Sequence, residues 1–201
     1  MKNILLIVDP QNDFITGSLA VEGAKEKMMK LAEYLKKLGH KYDAICVTMD
    51  THPEDHCSFK DNGGIWPEHC VIHTNGWDLP EYLDDSLMHF SDWSGKPVIY
   101  YHKGTEANLE EYSIFANTED GLKLRNHIKD VFKEHESVNI NVCGIAGDYC
   151  VLETLKGLRK FIGDDYITVL TDYTASIDGG EKLINYLNEN EIPRQWYNVR
   201  A

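Results

Sequence analysis

The 201-residue chain lacks any long hydrophobic run. Its first apolar stretch, residues 4–8, has only five residues before Asp9, which is too short for the core of a signal peptide or for a membrane span. No later stretch approaches the roughly 18 apolar residues that a spanning helix needs. We therefore expect a soluble cytoplasmic protein with no membrane partner.

Basic residues are scarce relative to acidic ones. Lys and Arg number 20 against 33 Asp and Glu, which gives a formal net charge of −13. The acidic residues are spread along the chain and form no tail. An excess of this sign disfavours binding to nucleic-acid phosphates and to anionic membranes. We therefore expect no nucleic-acid partner.

Cysteines are few and odd in number. There are five, and Cys46 and Cys143 lie inside apolar segments of a kind where buried, reduced thiols are common. The sequence therefore indicates no disulfide framework. A hydrophobic content of 42% in 201 residues suits one sizeable core, so we expect a single domain over residues 1–201.

Short apolar runs alternate with amphipathic segments along the chain. The predicted strands cover residues 3–8, 44–49, 96–101, 138–143, 166–170 and 196–199. The predicted helices cover residues 25–38, 122–132, 151–161 and 181–187. This alternation favours a three-layer α/β domain with a mostly parallel central sheet. Residues 51–93 and 103–118 lack the alternation, and we predict long functional loops there.

Three candidate catalytic residues follow three different predicted strands. Asp9, Lys103 and Cys150 lie after the carboxyl ends of their strands, where parallel α/β sheets form the ligand crevice. Asp9 suits a general base, Lys103 a cation beside a charged group, and Cys150 a nucleophile whose pKa is lowered at a helix amino terminus. The alternatives are a turn aspartate, a surface lysine and a small buried thiol such as Cys143. The shared position of the three favours the catalytic interpretation.

A second group of residues has the chemistry of metal ligands. Asp50 and His52 follow the second predicted strand two residues apart, so that both side chains reach one ion from an extended segment. His56 and His69 complete the predicted set. Carboxylate and imidazole ligands suit zinc, iron, manganese or cobalt. The alternative ligands are two flanking cysteines and one further histidine: Cys57, Cys70 and His73.

Taken in order, these motifs resemble those of the nicotinamidase branch of the isochorismatase-like cysteine hydrolases. The resemblance covers about residues 3–175. The matching motifs, each given with its first residue, are DPQNDF at Asp9, GSLAV at Gly17, DTHPEDHCSF at Asp50, WPEHCV at Trp66, KG at Lys103, YSIF at Tyr112 and GIAGDYC at Gly144. The first and last motifs indicate the superfamily. The Asp-x-His and Trp-Pro-x-His-Cys motifs narrow the resemblance to nicotinamidases.

The resemblance implies a six-stranded sheet between two layers of helices and the hydrolysis of nicotinamide to nicotinate and ammonia, in pyridine nucleotide biosynthesis. Pyrazinamide is implied as a further substrate. Asp9 would deprotonate Cys150, whose thiolate forms a thioester that water cleaves, and Lys103 would complete the triad. The backbone N–H groups of Ala146 and Cys150 would form the oxyanion hole, with a cis peptide bond before Ala146.

The resemblance also implies the metal and pocket residues. One divalent ion, zinc with iron or manganese as alternatives, would bind the pyridine nitrogen of nicotinamide and be held by Asp50, His52, His56 and His69. Phe14 and Trp66 would sandwich the ring, and Tyr112 would line the pocket. Assembly into a homo-oligomer is left open.

Two segments depart from the family pattern and leave the substrate open. Residues 104–111 are more acidic, and the stretch between WPEHCV and Lys103 is long and rich in Trp and Asp. The alternative function is that of a related cysteine amidase acting on another small amide or carbamoyl compound. Two further alternatives are an inactive binding protein, which the intact triad argues against, and a structural zinc clip, whose four protein ligands would close the site.

Overall fold

A computed structural model describes residues 2–116, 118–134, 138–163 and 165–195. Within these ranges the strands are β1 (Lys2–Val8), β2 (Ala44–Asp50), β3 (Val98–Lys103), β4 (Val138–Ile145) and β5 (Ile167–Ala175). They form one sheet in the order β3-β2-β1-β4-β5. Every neighbouring pair is parallel. The predicted mostly parallel sheet is therefore confirmed.

The prediction of six strands is wrong for the described residues, which form five. The sixth predicted segment, residues 196–199, lies outside the described ranges. The chain just before it runs beside β5. There the Val169 N–H donates to the Pro193 carbonyl at 2.9 Å, and the Gln195 N–H donates to the Val169 carbonyl at 3.0 Å. The five other predicted strands are present.

Helices cover both faces of the sheet. They are α1 (Asn12–Ile15), α2 (Ala24–Leu38), α3 (Glu81–Ser94), α4 (Glu119–Glu134), α5 (Leu152–Ile162) and α6 (Glu181–Glu189). Side chains alternate along β1, so Leu5 and Ile7 pack with α2 and α3, whereas Ile4 and Leu6 pack with α4, α5 and α6. Among the described residues no helix has the length and hydrophobicity to cross a bilayer. The predicted three-layer α/β class is confirmed.

Helix α3 lies inside a stretch that was predicted to be a loop. Leu83, Leu87 and Phe90 recur with helical spacing and are buried in the core cluster that α2 also joins. The prediction of a loop over residues 51–93 is therefore wrong for its last part. Many intervening residues are Asp or Ser, which are weak helix formers and obscure the pattern. The signals available in the sequence were Pro80 directly before the helix and Gly95 directly after it. In the structure Gly95 has φ +65°, which is typical of a glycine that ends a helix.

The strand order brings the carboxyl ends of β3, β2, β1 and β4 side by side. Asp9 directly follows β1, Asp50 ends β2 and Lys103 ends β3. Cys150 lies in a π-helical turn, Gly147–Val151, between β4 and α5. Because parallel strands end at the same edge, residues from distant parts of the chain meet there.

Candidate active site and metal-ligand group

Asp9, Lys103 and Cys150 are in contact at this edge of the sheet, and we call them the catalytic trio after the role that the sequence predicts for them. Lys103 Nζ lies 2.9 Å from Asp9 Oδ2 and 3.6 Å from Cys150 Sγ. All three residues are buried, and Asp9 and Lys103 have no exposed surface. A lysine ammonium is buried so completely only when charged partners replace its hydration. The fold thus brings together the three residues singled out from the sequence.

Asp9 is held in place by β2. Its backbone has φ +48°, a left-handed conformation that is uncommon outside glycine. Its N–H donates to the Thr48 carbonyl at 3.0 Å, and its Oδ1 accepts from the Thr48 hydroxyl at 2.7 Å. Thr48 is completely buried in β2. The sequence analysis missed Thr48, because a buried threonine in a strand has no feature that distinguishes it from a core residue.

Asp50 links the catalytic trio to the predicted metal ligands. Its Oδ1 accepts from Lys103 Nζ, and its Oδ2 lies 3.8 Å from His52 Nε2. Gln11 fixes the backbone of Asp50 from both sides. The Gln11 Nε2 donates to the Asp50 carbonyl at 2.7 Å, and the Asp50 N–H donates to Gln11 Oε1 at 2.8 Å. One carboxylate therefore serves both groups.

Burial and charge shift the pKa values of the catalytic trio. Burial raises the pKa of Asp9, against the opposing charge of Lys103. Burial alone would lower the pKa of Lys103, but Asp50 and Asp9 together raise it well above its ordinary value. Burial also raises the pKa of the Cys150 thiol well above its ordinary range, and Lys103 only partly offsets this. The expected lowering of the Cys150 pKa is therefore wrong, because desolvation of the thiolate outweighs the favourable charges.

Three of the four predicted metal ligands converge. Asp50, His52 and His69 are buried, and their ligand atoms lie within 4.8 Å of one another. The Nδ1 atoms of both histidines bond to backbone carbonyls at 2.8 Å, those of Gly104 and Pro67. This fixes the tautomer in which Nε2 can bind an ion. We call these three residues the ligand group.

The chemistry of the ligand group fits a divalent cation. His52 Nε2 is buried and has no hydrogen-bond partner among the described residues. Burial lowers the pKa of His52 to about 4, so the ring is neutral, as a ligand must be. A buried polar atom without a partner is costly, and an ion bound at this atom would remove that cost.

His56 is not brought into the ligand group, although it was predicted to belong there. Its Nε2 bonds to the Leu109 carbonyl at 3.0 Å, and its Nδ1 bonds to the Ser58 hydroxyl at 2.8 Å. The ring stacks on His52 with 3.9 Å between centroids. Both ring nitrogens thus contact protein oxygens, and His56 lies outside the three convergent ligand residues.

Cys150, Asp50 and His69 line a common cavity. The three predicted pocket residues, Phe14, Trp66 and Tyr112, all line it. Trp66 Nε1 donates to the Tyr112 hydroxyl at 3.0 Å, which fixes the two rings relative to each other. Aromatic side chains and the Cys150 thiol therefore share the wall of one cavity, a lining that is typical of small-molecule sites. Two larger, more open grooves on the described surface touch neither Cys150 nor the ligand group.

Ala146 also lines the cavity, and the peptide bond before it is cis, as predicted. Ala146 follows β4 directly and precedes the turn that carries Cys150. The two predicted oxyanion-hole residues are therefore four positions apart on one short segment beside the thiol.

The comparisons with known proteins agree with this geometry. No protein-family model matches the chain. The chain is 28% identical over 211 residues to the nicotinamidase of Saccharomyces cerevisiae, with 92% of this chain and 93% of the relative covered. A similar solved structure is the crystal structure of the pyrazinamidase of Pyrococcus horikoshii in complex with zinc. It is 29% identical, has a TM-score of 0.75, and the match covers 98% of this chain and 100% of that one. The crystal structure of PnC1 from L. infantum in complex with nicotinate is 28% identical, with a TM-score of 0.78 and coverage of 96% and 92%.

The predicted resemblance to nicotinamidases is confirmed. The aligned regions cover 92% and 98% of this chain in these two relatives.

Asp13, which the sequence analysis did not single out, holds together the loops around the cavity. Its carboxylate accepts from the N–H groups of Ser18 at 3.1 Å and Cys70 at 2.7 Å. A Cβ atom on Gly17 would lie 2.2 Å from its Oδ1, and one on Gly76 would lie 2.0 Å from its Oδ2. Two connections, the one between α1 and α2 and the one between β2 and α3, therefore approach this carboxylate. The available signal was an acidic residue inside the DPQNDF motif, beside one of the pocket residues.

Proposed function

We propose that the protein is a nicotinamidase, which hydrolyses nicotinamide to nicotinate and ammonia through a cysteine thioester. The observation that carries this proposal is a contact chain at one cavity: Cys150 contacts Lys103, and Lys103 lies 2.9 Å from Asp9. The cavity is lined by Cys150, by aromatic side chains and by two residues of the ligand group, Asp50 and His69. Relatives named nicotinamidase that align over 73–93% of their own length support the choice of substrate.

The reaction begins with proton transfer from the Cys150 thiol to Asp9. The raised pKa of Asp9 makes it a better proton acceptor, and Lys103 stays charged beside both the carboxylate and the thiolate. The thiolate attacks the amide carbonyl, and the N–H groups of Ala146 and Cys150 stabilise the oxyanion. Asp9 returns the proton to the leaving nitrogen, and ammonia departs. Water, activated by Asp9, then hydrolyses the thioester and releases nicotinate with the free thiol.

Asp50, His52 and His69 would hold one divalent ion, for which we propose zinc, with iron or manganese as alternatives. When bound, the ion would supply a Lewis acid for the pyridine nitrogen and orient the ring between Phe14 and Trp66. A related pyrazinamidase is known in complex with zinc. Three protein ligands leave coordination positions open, which favours a substrate-binding ion over a structural clip.

Pyrazinamide is a second proposed substrate. Its ring carries a nitrogen and a carboxamide in the same relation as nicotinamide, so the same cavity and ligand group suit it. A solved relative is named pyrazinamidase. The single domain, the cytoplasmic location and any self-association stay predictions from the sequence.

Ammonia release from nicotinamide by the purified, metal-loaded protein tests the proposal. We expect release that a chelator abolishes and that Cys150→Ala reduces by at least about three orders of magnitude, because a nucleophile has no substitute in this route. Cys143→Ala is the matched control, because Cys143 is an equally buried thiol inside β4. Turnover by Cys150→Ala would overturn the assignment of the nucleophile. No release by a folded, metal-loaded wild type would favour another small amide as substrate.

A further inference from the structure

Glu110 is a second carboxylate in the wall of the cavity, beside Asp50. Among the described residues that line this cavity there is no lysine or arginine. The Glu110 side chain is half-buried, and its backbone follows Leu109, whose carbonyl bonds to His56 at 3.0 Å. The loop that carries Glu110 is therefore anchored, and its carboxylate stays at the cavity.

The carboxylate of Glu110 interacts with both groups of the site. Burial raises the pKa of Glu110, and the charge of Asp50 raises it further. His56, Lys103 and His69 act in the opposite direction. Asp50 and His69 belong to the ligand group and Lys103 to the catalytic trio, so the carboxylate of Glu110 interacts with residues of both groups.

The proposed substrate and product differ in charge and hardly at all in shape. Nicotinamide is neutral, whereas nicotinate carries a full negative charge near neutral pH, since it is a carboxylic acid. A carboxylate in the wall therefore leaves nicotinamide almost unaffected and repels nicotinate. The described lining residues include no lysine or arginine, and the nearby cation Lys103, 3.6 Å from Cys150 Sγ, already interacts with the carboxylates of Asp9 and Asp50.

We propose that Glu110 is a specificity-determining residue, whose carboxylate weakens the binding of the anionic product and so favours its release. This inference rests on the proposed function. It also explains why the acidic segment after Lys103 does not conflict with that function. The departure of residues 104–111 from the family pattern then concerns the affinity for the product.

A purely structural role for Glu110 is the alternative, since its Oε1 accepts from the Glu111 N–H at 3.1 Å. Glu110→Gln separates the two roles, because glutamine keeps an acceptor oxygen and the same shape but has no charge. Glu110→Asp keeps the charge on a shorter side chain. Glu106→Gln is the matched control, because it removes one charge from an exposed side chain on the same loop.

The experiment measures the Michaelis constant for nicotinamide and the inhibition constant for nicotinate in these variants, near neutral pH and at low salt. For Glu110→Gln we expect the inhibition constant to fall about tenfold while the Michaelis constant changes less than about twofold, because nicotinate is charged and nicotinamide is not. Glu110→Asp and Glu106→Gln are expected to keep the wild-type inhibition constant. Added salt is expected to shrink the difference between Glu110→Gln and wild type.

An unchanged inhibition constant in Glu110→Gln, or an equal change in both constants, would overturn the role assigned to the Glu110 charge. A wild type that does not hydrolyse nicotinamide would instead contradict the proposed function. In that case calorimetric titration of nicotinate into wild type and Glu110→Gln still decides the question of charge. Tighter binding by the variant would support the inference, and equal binding would overturn it.

Discussion

The catalytic trio and the wall of the cavity are held in position by different kinds of structure. Asp9 and Lys103 lie at strand ends, where backbone hydrogen bonds between parallel strands fix their positions. Trp66 and His69 lie on the connection between β2 and α3, and Phe14 lies on the short helix α1; side-chain bonds such as those of Asp13 and Trp66 hold these segments in place. The sheet thus positions the reacting groups, and a few buried polar side chains position the groups that select the substrate.

Asp50 belongs to both regions. It ends β2, yet its two carboxylate oxygens face different partners, Lys103 on one side and His52 on the other. The ligand group belongs to the cavity side of this comparison, through Asp50 and His69. If the sheet and the connecting segments position their residues independently, substitutions in the catalytic trio and in the ligand group will change different measured properties. Substitutions in the trio will affect stability and chemistry, whereas those in the ligand group will affect the ion.

The largest effect is expected for Lys103→Met. This change leaves Asp9 and Asp50 buried without their cation, so we expect the free energy of unfolding to fall by about 3–5 kcal/mol. The two carboxyls would then have folded-state pKa values above their unfolded values. The deficit should therefore be largest at high pH and shrink as the pH is lowered and the carboxyls take up protons. Urea unfolding followed by tryptophan fluorescence at several pH values measures this.

Lys156→Met is the control for that prediction. Lys156 pairs with Glu153 at 2.6 Å, but about 40% of each side chain is exposed, so its loss should cost less than about 1 kcal/mol. A Lys103→Met variant as stable as Lys156→Met would show that the buried carboxylates do not depend on Lys103.

The next largest effect is expected in the ligand group. His52→Ala should lose most of its bound ion, because His52 Nε2 is one of the three convergent ligand atoms. His56→Ala should keep the ion, because both ring nitrogens of His56 contact protein oxygens. Metal content after dialysis, measured by plasma emission spectrometry, compares these two stacked histidines. Equal loss of metal in both variants would restore the four-ligand set predicted from the sequence.

The smallest effect is expected for Thr48→Val. Its hydroxyl donates to Asp9 and favours the ionised carboxylate, so its removal should raise the pKa of Asp9 further. Because the proposed base must be ionised, the acid limb of the pH–rate profile should move to higher pH, with a loss of about threefold below the optimum. Thr168→Val makes the same change on β5 at a half-buried residue away from the cavity. If the pH–rate profile of Thr48→Val has the same acid limb as wild type, the hydrogen bond from Thr48 does not influence the pKa of Asp9.

The sequence predicted the strands better than the helices. The runs that became β1 and β2 are continuously apolar because both faces of the sheet are covered, and such runs are easy to recognise. Helix α3 buries one narrow stripe, and the polar residues on its other side hid the pattern. The expected sixth strand, residues 196–199, lies outside the described residues and stays a prediction.

Within the site, residue identity and residue environment differ in how far the sequence reveals them. Asp9, Lys103 and Cys150 were recognisable because parallel strands deliver their following residues to one edge. The raised pKa of Cys150 was not recognisable from the sequence, since it depends on how completely the fold removes water from the thiol. Likewise His56 has the right residue type and spacing for a ligand, and only its contacts with Ser58 and Leu109 exclude it.

The sequence by itself therefore determined the α/β class, and it singled out three candidate catalytic residues and three candidate metal ligands that the fold brings together, because hydrophobic periodicity and motif order can be read from the chain alone. Only the tertiary structure decided which side chains share an oxygen, which lose their water and which face the cavity. Thr48, Asp13 and Glu110 gained their roles in this way. The physical reason is that desolvation and hydrogen bonding depend on contacts between segments far apart in the sequence, which no local pattern records.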